Sequence, residues 1–154
     1  MTDPAARPLT ILMADDDPDD RLLARMALER QGMHGVLRTV DDGEELMDYL
    51  HRRGAYADPA SSPRPHLVLL DLNMPRMDGR EALQALKSDP SLRQIPVVVL
   101  TTSRSDEEVF RSYDLGANSF VTKPVTFDEL VAVLQRLDLY WLRTVSLPPA
   151  PPPA

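Results

Sequence analysis

Short runs that are apolar at nearly every position constrain this chain more than any other feature. Residues 66–72 read His-Leu-Val-Leu-Leu-Asp-Leu, and residues 96–100 read Pro-Val-Val-Val-Leu. A strand with one wet face alternates apolar and polar residues, because successive side chains point to opposite faces. A strand apolar on both faces must be covered on both, as in the middle of a parallel sheet. Residues 10–14 form a third run, residues 36–40 a weaker one, and Ser119–Thr122 the last.

Amphipathic stretches separate these runs. Asp17 before Pro18 supplies an N-cap and a suitable first helical residue. Leu22, Leu23, Met26, Ala27 and Arg30 follow at helical spacing, and Gly32 marks the stop. Asp41-Asp42-Gly43-Glu44 opens a second helix with Leu46, Met47 and Leu50 as its apolar face. A third spans about residues 80–87. Ser105 with Glu108, and Thr126 with Glu129, have the spacing of capping boxes for a fourth and a fifth. The inner face of the fifth reads Phe127, Leu130, Val131 and Leu134. A β-α unit repeated five times implies right-handed crossovers and a parallel sheet with helices on both faces. The expected class is α/β, with five parallel strands in the flavodoxin-like order 2-1-3-4-5.

The 154 residues suit one domain, expected over residues 9–145. Residues 54–65 form a long polar, Pro-rich loop, and residues 146–154 a Pro-rich tail expected to be disordered. With no cysteine, disulfides and thiol chemistry are excluded. A net charge of −7 argues against binding nucleic acid or an anionic membrane. No apolar run approaches the ~20 residues of a membrane span, and the first residues lack a signal-peptide core. A cytoplasmic location is expected.

In an open parallel sheet, ligands bind beyond the carboxyl ends of the strands. The first strand ends in Asp15, Asp16 and Asp17, and the third in Asp71, with Asn73 close behind. The fourth ends in Thr101-Thr102-Ser103, and the fifth in Lys123-Pro124. With strands one and three adjacent, their acids share a pocket. Clustered carboxylates repel unless a cation lies among them. Oxygen donors without His or Cys favour a hard ion such as Mg²⁺, which readily bridges carboxylate and phosphate. Lys123 adds a point charge for a phosphoryl group, and Thr101 a hydroxyl donor. A carboxylate can itself be the nucleophile and form an aspartyl phosphate. Asp17 is explained fully as an N-cap. His34, His51 and His66 are scattered and suggest no metal site.

These residues sit in stretches that resemble the receiver domain of two-component response regulators. The matching segments are Ile11-Leu-Met-Ala-Asp-Asp-Asp-Pro18, Leu69-Leu-Asp-Leu-Asn-Met-Pro-Arg-Met-Asp-Gly79, Val99-Leu-Thr-Thr102 and Phe120-Val-Thr-Lys-Pro124. The resemblance implies that Asp71 accepts a phosphoryl group from a histidine kinase. It implies Mg²⁺ held by Asp15, Asp16, Asp71 and the main-chain carbonyl of Asn73. Thr101 and Lys123 become the switch hydroxyl and the phosphoryl-binding lysine. The Lys123–Pro124 bond is expected to be cis, and Phe120 occupies the position of a switch aromatic, although plain core packing explains it as well.

A narrower resemblance rests on Tyr49-Leu-His-Arg-Arg-Gly-Ala-Tyr56, the long loop after it, Leu72-Asn-Met-Pro-Arg-Met-Asp-Gly-Arg-Glu81 and Tyr140-Trp141-Leu142. These are similar to single-domain regulators paired with bacterial phytochrome kinases, which often form dimers. The implied protein is a phosphoacceptor switch with slow autodephosphorylation, acting through protein contacts without a DNA-binding output domain. A phosphate sink or relay intermediate is the alternative. A dimer would use the last two helices and the C-terminal extension. Tyr140 and Trp141 either fold back on their own domain or pack on a second copy. A phosphatase with an aspartyl intermediate usually needs an acid two residues after the nucleophile, where this chain has Asn73. A flavin module lacks support in any Gly-rich phosphate loop.

Overall fold

All five apolar runs become strands. The computed structural model describes residues 9–30 and 35–149. Its strands are β1 (Leu9–Ala14), β2 (Gly35–Val40), β3 (Leu67–Leu70), β4 (Val97–Thr101) and β5 (Ser119–Thr122). They form one parallel sheet in the expected order, β2-β1-β3-β4-β5. The helices are α1 (Pro18–Arg30), α2 (Gly43–Leu50), α3 (Gly79–Ser88), α4 (Asp106–Asp114) and α5 (Phe127–Leu137). Gly32, His34 and the tail from residue 150 onward lie outside the described residues.

The strands divide their side chains between two cores. Ile11 and Met13 of β1, Leu67 and Leu69 of β3, and Val98 and Leu100 of β4 pack with Ala24, Ala27 and Leu28 of α1 and Leu130 and Leu134 of α5. Leu12, Ala14, Val68, Leu70, Val97 and Val99 face the other way, onto Leu46 and Met47 of α2 and Ala82, Leu83 and Leu86 of α3. The period is two, as pleating requires, and both faces are covered, so these runs are apolar at nearly every position. Each large side chain buried this way stabilises the fold by roughly 1.5–3 kcal/mol.

Most helix starts follow the expected chemistry. Asp17 Oδ1 accepts from the Asp19 N–H at 2.9 Å, Asp42 Oδ1 from Glu45 at 2.8 Å, Asp78 from Glu81 at 3.0 Å and Thr126 Oγ1 from Glu129 at 3.3 Å. Ser105 departs from it, for its side chain makes no cap hydrogen bond. The Glu108 carboxylate instead takes the Arg80 Nε at 2.7 Å, a charge-assisted bond stronger than a neutral cap contact.

Two inner faces also differ from the spacing argument. Leu22 and Met26 are 56% and 39% exposed, whereas Ala24, Ala27 and Leu28 are buried. Ala24, Ala27 and Leu28 are on the face of α1 that packs against the sheet and α5, which leaves Leu22 and Met26 on its outer side. Phe127 is 40% exposed because it is the first residue of α5, ahead of the turn that reaches the sheet.

Beyond α5 the chain continues into a π-helical turn, Asp138–Leu142. Leu142 is buried there, and Trp141 and Leu147 rest half-buried on the α1–α5 core. Tyr140 stays exposed and meets Trp141 edge-on, with ring centroids 5.3 Å apart. Ser146–Pro149 has no regular structure. The Lys123–Pro124 bond is trans, contrary to expectation. Trans is the lower-energy isomer of an X–Pro bond by about 0.5–1 kcal/mol.

Candidate functional site

Parallel strands all present their carboxyl ends at one edge of the sheet, so residues distant in sequence meet there. Asp15 and Asp16 follow β1, Asp71 follows β3, Thr101 ends β4 and Lys123 follows β5. Asp15, Asp71, Thr101 and Lys123 are buried, and Asp16 is exposed.

Asp71 is the hub. Its Oδ1 accepts from Thr101 Oγ1 at 2.9 Å and from the Asn73 N–H at 3.2 Å. Its Oδ2 accepts from Lys123 Nζ at 3.3 Å. Lys123 Nζ also donates to Asp15 Oδ2 at 2.5 Å and to Asp20 Oδ2 at 2.8 Å. Asp15 Oδ1 takes the Asp17 N–H at 2.9 Å, and the Asp15 carbonyl takes Arg21 Nη1 at 2.6 Å. One carboxylate oxygen from each of Asp15, Asp16 and Asp71 lies within 4.8 Å of the others.

Burial pushes the Asp15 carboxyl up to about 6, against the lowering pull of the Lys123 ammonium and the Asp17 amide. Burial also opposes charge on Lys123, but its hydrogen bonds to Asp15 and Asp20 outweigh this and raise it above the ordinary lysine range. The lysine is therefore cationic at any physiological pH. The three carboxylates still outnumber the lysine's charge. This all-oxygen, net-negative set fits a hard divalent cation, which the carboxylates of Asp15, Asp16 and Asp71 could hold.

The side chains of Asp15, Asp16, Asp71, Thr101 and Lys123 are thus brought together at one edge of the sheet. Asn73 touches Asp71 through its backbone N–H, while its side chain is exposed. Phe120 lies half-buried against the α2–α3 core, and its N–H donates to Tyr113 Oη at 3.1 Å. His66 is structural: its Nδ1 accepts from the Thr10 N–H at 3.0 Å, and burial pulls its pKa down. Asp20 was not anticipated. It follows the Asp17 cap by three positions, so the first turn of α1 carries it back over the end of β1, where it reads from sequence as an ordinary helix-start acid.

The connection between β3 and α3 is held by close backbone approach. Gly79 donates its N–H to the Leu72 carbonyl at 2.9 Å, and a Cβ there would collide with the Asp71 carbonyl. Arg80, at the start of α3, reaches Glu108 of α4.

Comparison with known proteins matches this geometry to one family. The family described as response regulator receiver domain matches residues 11–135. The response regulator Rcp1 of Synechocystis sp. is 40% identical over 150 residues, which cover 97% of this chain and 100% of Rcp1. Among solved structures, the phosphorylated cyanobacterial phytochrome response regulator RcpA superposes with a TM-score of 0.87. It is 41% identical, covering 92% of this chain and 99% of RcpA. The Mn²⁺-bound form of Rcp1 gives a TM-score of 0.86 at 40% identity, covering 92% of this chain and 100% of that one.

Proposed function

The chain belongs to the family of response regulator receiver domains, and on that premise we propose that Asp71 accepts a phosphoryl group from the phosphohistidine of a partner histidine kinase. The carrying observation is the setting of the Asp71 carboxylate, which faces Thr101 Oγ1, Lys123 Nζ and two further carboxylates at one sheet edge. In this reading an Asp71 carboxylate oxygen attacks phosphorus. The new P–O bond forms as the P–N bond of the phosphohistidine breaks, and the departing imidazole takes up a proton.

The residues divide the work by charge. Asp15, Asp16 and Asp71, with the Asn73 carbonyl, would hold Mg²⁺, which would supply positive charge to the phosphoryl oxygens. Lys123 leaves its contacts with Asp15 and Asp20 to meet the new anion, and Thr101 turns its hydroxyl from Asp71 Oδ1 to a phosphoryl oxygen. The bonds that Lys123 and Thr101 make to Asp71 in the unmodified protein are thus exchanged for bonds to the product. Slow autodephosphorylation returns the switch, with water attacking phosphorus and the Asp71 carboxylate leaving.

The likeness to RcpA, a phytochrome response regulator, supports a phytochrome-type kinase as the donor. Output runs through protein contacts of the domain's own surface. A homodimer through α4, α5 and the C-terminal extension fits the exposure of Leu139 and Tyr140, at 59% and 53%. Trp141 contributes from beneath, as the edge-on support of Tyr140.

Incubation with acetyl phosphate and Mg²⁺, followed by intact-mass measurement, tests the reading. Wild type gains one phosphoryl mass and Asp71→Asn gains none. A wild type that stays unlabelled while a control receiver is labelled would sink it.

A further inference from the structure

Asp42, the N-cap of α2, is buried, and its ion pair lies outside the carboxylate cluster. Its Oδ1 caps α2, and its Oδ2 accepts from both Nε and Nη2 of Arg76, at 2.9 and 2.6 Å. Arg76 belongs to the connection between β3 and α3, the segment that carries Asn73. Its backbone φ is +65°, a left-handed conformation that a side chain as large as arginine adopts only when its surroundings impose it. One residue on, the Met77 carbonyl accepts from the Gly43 N–H at 3.0 Å, so close that a Cβ at Gly43 would collide with it. The connection is therefore fastened to the start of α2 by a backbone bond and a forked ion pair. At its other end Gly79 is bonded to Leu72. Between these fastenings the Asn73 N–H meets Asp71 Oδ1 at 3.2 Å.

We propose that Arg76 and Asp42 are positioning residues for the phosphoacceptor site. Their ion pair latches the β3–α3 connection onto α2 and so holds the Asn73 backbone against Asp71 and at the metal position. This rests on the metal reading given above but adds residues that touch neither the metal nor the phosphoryl group.

The test titrates Mg²⁺ alone, by calorimetry, into wild type, Arg76→Gly, Asp42→Asn and the double variant. Glycine suits the left-handed backbone, and asparagine keeps the α2 cap, so each change removes the latch with little damage to the fold. The two changes alter charge in opposite senses. As point charges, loss of Arg76 would tighten cation binding and loss of Asp42 would weaken it. A latch predicts that both weaken it, by about tenfold, the lower end of what loss of a group supporting a metal ligand costs. Arg76 Nε also lies 3.5 Å from the exposed Glu44 carboxylate, a solvated pair worth little. The latch therefore predicts that the double variant is scarcely weaker than either single one, because both single changes remove the same Asp42–Arg76 interaction. Amide exchange at Asn73 quickens in all three variants.

Opposite shifts in the two single variants, unchanged affinities, or losses that add would overturn the latch. A wild type that takes up no Mg²⁺ instead overturns the metal reading. Asn73 exchange then decides the latch alone, and equal exchange in wild type and variants would overturn it.

Discussion

Replacing Asp15 by asparagine is expected to reshape the pH response of the metal-free protein. Asp15 is 1% exposed, and burial lifts its carboxyl from 3.8 to about 6. A carboxyl that holds its proton more tightly when folded stabilises the fold fully below about pH 3.8, and that contribution is gone above about pH 6. The shift, 6 − 3.8 = 2.2, at about 1.36 kcal/mol per pH unit, is worth roughly 3 kcal/mol. Solvent screening brings this to about 2–3 kcal/mol. Urea unfolding of wild type and Asp15→Asn in chelator, at a series of pH values, isolates the group because all other carboxyls are common to both. The wild type loses about 2–3 kcal/mol relative to the variant between about pH 4 and pH 7. That corresponds to about 4–12 °C in melting temperature for a chain of this size. Saturating Mg²⁺ binds the ionised carboxylate and restores the wild type at neutral pH, with a smaller effect on the variant. Wild-type and variant profiles that run parallel across the whole range would show that burial does not raise the Asp15 carboxyl.

Three further outcomes follow from the same geometry. Lys123→Gln leaves Asp15, Asp20 and Asp71 without their shared cation. Neutral-pH stability in chelator should fall by about 3–5 kcal/mol, and unchanged urea midpoints would contradict the ion-pair geometry. Thr101→Val removes one donor to Asp71 at a cost of about 1 kcal/mol. The variant should still be labelled by acetyl phosphate, while the chemical-shift response around Phe120 on labelling is lost; a full response would contradict the switch role. Tyr140→Ala should turn a dimer into a monomer in sedimentation, and a wild type that is monomeric at high concentration would refute the dimer.

The sheet and the site were legible for the same physical reason. A strand covered on both faces must be apolar throughout, so residues 66–72 and 96–100 announced themselves, and the polar residue closing each run marked the functional edge. Asp71, Thr101 and Lys123 needed only the strand order to be brought together. What escaped depends on which of several competing partners a side chain takes. Glu108 could cap α4 or meet Arg80, and only the packing of α3 beside α4 decides for Arg80. Leu22 and Met26 fit a helical stripe as well as Ala24 and Leu28 do, and the choice belongs to how closely α1 approaches α5. Asp20 and the Asp42–Arg76 pair join elements distant in sequence through long side chains. No local spacing marks such pairs.

Phosphoryl transfer is expected at Asp71 and nowhere else. Borohydride reduction of the acetyl phosphate-labelled protein, followed by peptide sequencing by mass spectrometry, locates the acyl phosphate by converting the modified aspartate to homoserine. Homoserine is expected at position 71 in wild type, and at no position in Asp71→Asn. Homoserine at Asp15, Asp16 or Asp20, or its persistence in the variant, would rule out Asp71 as the sole phosphoacceptor.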